Sequence, residues 1–141
     1  MRPPENAFFS LDGPPPREAD PSFNSAFSHA FSLLERHDLD SAARAFADLC
    51  ASHPRNPLAY KAFGYVLCKL NDFDSALAPL LVAAAASPCD PTPLYFVALC
   101  MQHMGDPPAA KETAATAIQI AQQDPRYSST EHAARRLMAD H

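Results

Sequence analysis

Asn or Asp followed by proline recurs every 34 residues in this 141-residue chain: Asn56-Pro57, Asp90-Pro91 and Asp124-Pro125. An Asx side chain can cap a helix, and proline is pre-set for the first helical turn, so each pair predicts a helix start. A second set with the same spacing, Asp38, Asp72 and Asp106, precedes three further apolar-periodic runs, and Pro107 follows the last of them. These three predict N-caps of a second helix in each period. A third set is small: Ala42, Ala76 and Ala110, accompanied by Ala30, Gly64 and Ala98. Small residues at fixed offsets let paired helices approach closely. A chain that restarts a helix twice per period buries its apolar faces by stacking one helix pair on the next.

A 34-residue period with two helix starts is the tetratricopeptide signature. The fold class expected is therefore all-α: three tandem tetratricopeptide repeats at about 23–56, 57–90 and 91–124, followed by a capping helix at about 125–140. Other columns fall into register, with Phe46, Leu80 and Ala114 in one and Leu49, Ala83 and Ala117 in another. Pro54 and Pro88 close the first two repeats, and Tyr60 and Leu94 hold the aromatic or apolar place early in the first helix. The last repeat needs a cover for its stacking face. Tyr127, Ala134, Leu137 and Met138 are placed to supply it, leaving Glu131, Arg135, Arg136 and Asp140 to water. Pro79 breaks the pattern: it lies inside the second helix of repeat two, removes a hydrogen bond to Ser75 and predicts a bend.

Residues 1–22 differ in composition. Six of the fifteen prolines lie there, including Pro14-Pro15-Pro16, and no apolar period is legible. This block is expected to be a disordered or loosely attached arm, with the repeat domain occupying 23–141. Its apolar cluster, Phe8, Phe9 and Leu11, is a candidate to dock into a groove of this chain or a neighbour.

Bulk composition excludes several function classes. The net charge of −5 argues against a nucleic-acid partner, which calls for a basic face. The longest apolar run, residues 80–86, is too short to span a bilayer, and the N-terminus lacks the apolar core of a signal peptide. No stable membrane association is expected. Four cysteines, Cys50, Cys68, Cys89 and Cys100, match neither zinc nor redox spacing and read as free thiols in a reducing compartment. Cys100 and His103 could supply half a metal site, but no second pair has matching spacing. No Gly-rich phosphate loop or catalytic Ser, His and carboxylate grouping is legible. The expectation is a protein that is not an enzyme and uses no cofactor or metal.

Function is expected on the inner wall, which the first helix of each repeat lines. At about 100° per residue, the helix-pair face and the groove face lie roughly 140° apart. The groove face then carries Asn24, Phe27, Phe31, Leu34 and Glu35 in repeat one. Repeat two places Leu58, Lys61, Tyr65, Cys68 and Lys69 there, and repeat three Thr92, Tyr95, Leu99, Gln102 and His103. An apolar stripe of Phe27, Phe31, Leu34, Tyr65, Tyr95 and Leu99, rimmed by Lys and Gln, fits a groove for an extended apolar peptide. Phe27 and Phe31 have an alternative as core residues. Lys61 and Lys69 are spaced as in repeat proteins that clamp a C-terminal carboxylate, but Tyr65 and His103 stand where that clamp has asparagines.

The chain also resembles the tetratricopeptide class II chaperones of bacterial type III secretion systems. The resemblance covers about residues 23–140. It rests on Phe46-x-x-Leu49-Cys50, Phe63-Gly64 with Asp74-x-Ala76, then Pro91, Cys100 and Gly105 with Ala110. Pro125-x-Tyr127 before a final helix with Arg135 and Met138 completes it. The resemblance implies a chaperone of the bacterial cytoplasm. Its partners would be hydrophobic, pore-forming translocator proteins, kept soluble and unassociated before export by holding an extended N-terminal segment in the groove. A different adaptor role, for needle or export-apparatus subunits, is the alternative. That family begins with an amphipathic helix that helps form a homodimer; here the proline-rich arm takes its place, which leaves homodimerisation open.

Overall fold

The computed structural model describes residues 20–139. The cluster Phe8, Phe9 and Leu11 and the capping-helix residue Asp140 lie outside the described residues. Among the described residues seven helices follow one another: α1 Pro21–Glu35, α2 Leu39–Ser52, α3 Pro57–Lys69, α4 Phe73–Ala86, α5 Thr92–His103, α6 Pro107–Ala121 and α7 Ser128–Ala139. A 3-10 turn, Pro125–Tyr127, leads into α7, and the described residues contain no strand.

Two kinds of cap set these boundaries. At the Asx-Pro sites the side-chain oxygen accepts from the amide two residues on. Asn56 takes Leu58 N at 2.9 Å, Asp90 takes Thr92 N at 3.0 Å, and Asp124 takes Arg126 N at 3.0 Å. At the second set the oxygen accepts one residue further along. Asp38 takes Ser41 N at 3.4 Å, Asp72 takes Ser75 N at 3.4 Å, and Asp106 takes Ala109 N at 3.2 Å.

The start of the first helix differs from expectation. It opens at Pro21 rather than 23, because Asp20-Pro21 is a cap of the first kind, with Asp20 accepting from Ser22 N at 2.9 Å. Standing 36 residues before Asn56, it falls out of the 34-residue register, and α1 gains length. It has 15 residues against 13 in α3 and 12 in α5.

Each first helix ends in the same way. His37, Asn71 and Gly105 adopt φ of 61°, 62° and 84°, and they too are one period apart. Around each, paired backbone bonds close the helix end: His37 N to Leu34 O and Asp38 N to Leu33 O, and likewise around Asn71 and Gly105. This is the Schellman arrangement, which asks for a left-handed residue and then hands the chain directly to the next Asp cap.

Each helix packs on the next, and α3 also touches α5. Ala30, Ala42, Ala76, Ala98 and Ala110 are fully buried at these contacts. At the crossing of α3 and α4 the fit is tight, since a Cβ added at Gly64 would lie 2.5 Å from Leu80 Cγ. The column at Phe46, Leu80 and Ala114 is wholly buried and loses bulk along the chain. Ile118 and Leu137 restore some bulk at the far end, where α7 covers α6 with Ala134 and Leu137. Tyr127 is buried as well, and Thr130 lies 3.2 Å from Thr92, hydroxyl to hydroxyl, tying the cap to the start of α5. Arg135 pairs with Glu131 on the outer side at 2.8 Å. Pro79 is buried within an unbroken α4, and nothing in the structure explains its presence.

Gly64→Ala should lower stability by about 1–3 kcal/mol, the cost of overpacking a full core; urea unfolding reads this directly. Gly105→Ala should cost about 1 kcal/mol through its left-handed backbone, whereas Asn71→Gly should leave the midpoint level or higher.

Candidate peptide-binding groove

The first helices of the three pairs, α1, α3 and α5, are the expected wall, and α3 touches α5. Aromatic side chains fall into two groups along it. In α1, Phe23, Phe27 and Phe31 stack in a row, with centroids 5.6 and 6.3 Å apart, and Phe27 meets Phe46 of α2 edge-on at 5.5 Å. Across α3 and α5, Tyr65 meets Phe96 edge-on at 5.3 Å and Tyr95 meets Phe96 at 4.9 Å. Such geometries favour ring packing beyond the area they bury.

The expected wall residues are thus unequal. Phe31, Leu34, Leu58, Lys69, Tyr95, Leu99 and Gln102 are half-buried, and His103 is exposed. Phe27, Lys61, Tyr65 and Cys68 are buried, at 5, 7, 5 and 7% exposure. The water-facing position assigned to those four is corrected by what packs against them. A single helix's angular reckoning omits the neighbouring first helix, and Tyr65 and Cys68 point at α5. Phe27 turns toward α2, as its alternative as a core residue required. Among the flanking positions, Asn24 is half-buried, Glu35 exposed and Thr92 fully buried.

Sequence reading missed three partners. Phe96 joins Tyr65 to Tyr95, and its only signal is adjacency to Tyr95. Phe73 stacks flat on His103 at 4.3 Å with the planes 2° apart, fixing that imidazole at the rim. Asp90 was legible as a cap, but its second oxygen also takes Lys61 Nζ at 2.7 Å. This ion pair lies in a cleft of about 430 Å³, whose lining also includes Asn56, Leu58, Arg126 and Tyr127. Lys61 therefore ties α3 to the α4–α5 turn. On the same edge Arg126 donates to Asp124 at 2.7 Å, and this bond, with the Arg126 amide, holds the Asp124 carboxyl below its ordinary range.

The four thiols are free and differ in setting. Cys89 is exposed. Burial pushes Cys50 up to about 11. Cys68 and Cys100 lie Sγ to Sγ at 3.4 Å. Their hydrogen bond, with burial, raises Cys68 above the ordinary thiol value, while the same bond lowers Cys100. No group of three or more metal-ligating side chains occurs among the described residues. No described helix is long and apolar enough to cross a membrane.

No protein-family model matches the sequence, and no curated protein matches it either. Solved structures do match. The translocator chaperone SycD of Yersinia enterocolitica, in complex with a peptide of the translocator YopD, superposes with a TM-score of 0.81 at 15% identity. That match covers 86% of this chain and 92% of SycD. PcrH from Pseudomonas aeruginosa matches at 0.80 and 17% identity, over 87% of this chain and 93% of PcrH. PcrH has also been crystallised with the chaperone binding regions of PopB and PopD, and SycD as an alternative dimer. The TPR2B domain of yeast Sti1, in complex with pHsp70, matches at 0.78 and 18%, over 85% and 95%. The fold is that of a three-repeat tetratricopeptide domain with a C-terminal cap.

Removing one partner of a buried ion pair strands the other. Lys61→Ala should therefore lower unfolding free energy by about 3–5 kcal/mol. Lys69→Ala should change it by less than about 1 kcal/mol in the same denaturation series.

Proposed function

We propose that this protein is a type III secretion chaperone that holds an extended apolar segment of a hydrophobic translocator protein along α1, α3 and α5. It keeps that client soluble and unassociated in the bacterial cytoplasm until export, and its work is binding rather than catalysis. The observation that carries the reading is the row of half-buried apolar side chains on this wall, Phe31, Leu34, Tyr95 and Leu99, within a fold shared with SycD and PcrH. Half-buried aromatic and aliphatic groups suit a peptide that inserts side chains at intervals and forfeits little torsional freedom of the wall.

The spacing of Lys61 and Lys69 raises a second mode, capture of a terminal carboxylate by lysines. The ion pair weighs against it. Lys61 is already bound by Asp90 at 2.7 Å and buried, so a carboxylate ligand would have to displace an existing one. The wall's chemistry favours apolar anchors. Of the wall residues, the peptide is assigned to Phe31, Leu34, Leu58, Lys69, Tyr95, Leu99, Gln102 and His103. Phe27, Lys61, Tyr65 and Cys68 support the wall from behind.

The test is co-expression with large apolar proteins encoded nearby, followed by affinity capture and binding to synthetic segments of whichever protein co-purifies. Phe31→Ala, Tyr95→Ala and Leu99→Ala should each weaken segment binding roughly tenfold or more, as anchor truncations do. Unchanged binding in all three would move the site off this wall. A needle or export-apparatus subunit recovered in place of a translocator would assign the protein to the adaptor class.

A further inference from the structure

We propose that Cys68 and Cys100 are a redox modification site, closing under peroxide to a disulfide that joins α3 to α5. Their Sγ atoms are 3.4 Å apart. The bond length of a disulfide is about 2.05 Å, so closure requires an approach of little more than 1 Å. The two residues stand on first helices of adjacent repeats, which already touch. Cys100 is fully buried and Cys68 is 7% exposed, so the pair meets solvent through Cys68. The sequence hides this pairing, because the residues are 32 apart. It becomes visible only when one repeat is laid on the next.

The chemistry balances with hydrogen peroxide as oxidant. One sulfur of the pair attacks one peroxide oxygen, the O–O bond breaks, and a sulfenic acid and one water result. The other sulfur then attacks the sulfenic sulfur; the S–O bond breaks, the S–S bond forms, and a second water leaves. Two thiols and one peroxide thus give one disulfide and two waters. A dithiol reductant returns two electrons and two protons and reopens the bond.

The bond would fasten the inner wall behind the Tyr65–Phe96 contact, fixing the spacing of repeats two and three. It also closes a long loop of chain, which restricts the unfolded ensemble. Neither effect depends on what the groove binds. The other two thiols serve as internal comparisons: Cys50 is buried elsewhere in the core, and Cys89 is exposed at the α4–α5 turn.

The experiment treats the full chain with hydrogen peroxide, blocks remaining thiols with an alkylating agent under denaturing conditions, and maps peptides by mass spectrometry. The expected product is a Cys68–Cys100 linked peptide, with the intact mass lower by two hydrogens and restored by dithiothreitol. Cys89→Ser should retain the product, and its oxidised form should melt on the order of 10 °C higher than its reduced form. Cys100→Ala should give no linked peptide. Oxidation confined to Cys89, with Cys68 and Cys100 still alkylated, would overturn the proposal. A linked product that melts at or below the reduced protein would overturn the fastening of the wall.

Discussion

The hydrogen bond from an amide to an Asx oxygen two residues before it sets the geometry on which the stack depends. A helix leaves its first amides without partners, and a solenoid must begin a helix at every turn of its path. Proline contributes a fixed φ, and the Asx oxygen satisfies an orphan donor in a helix's opening turn. Between these starts, the left-handed residue after each first helix feeds directly into the next Asp cap. Direction changes are thus specified by local chemistry, and packing has only to confirm them. At Asp90 the same side chain also binds Lys61, so a boundary marker doubles as a fastening between repeats.

That division explains what could be read without coordinates. Caps and small contact residues act locally, so Asp38, Asp72, Asp106, Gly64 and Ala76 announce themselves by spacing. Asp20 escaped because two extra residues put it out of register, although its chemistry is the same. The groove was less legible. Helical angles place Tyr65 and Cys68 on the wall, but only the neighbouring helix decides whether such a side chain is presented or covered. Phe96 and Cys100 in α5 do the covering. Lys61 likewise read as a groove cation until the carboxylate of Asp90 in the α4–α5 turn was found against it.

Fold likeness at 15–18% identity has the same origin. The architecture asks for caps, small residues at crossings and a covered end, and it leaves the wall free to vary. A yeast domain and two bacterial chaperones can therefore share one frame with this chain at low identity. Assignment of a client must rest on the wall itself, and here that wall is aromatic and aliphatic.

The buried column that passes from Phe46 through Leu80 to Ala114 makes the three helix pairs fill their shared faces differently. In a quasi-one-dimensional array stability is a sum over units and their shared faces, so each face has to be filled from its own surroundings. At the alanine end Ile118 and Leu137 do the filling, so the cap replaces bulk that the repeat itself gives up.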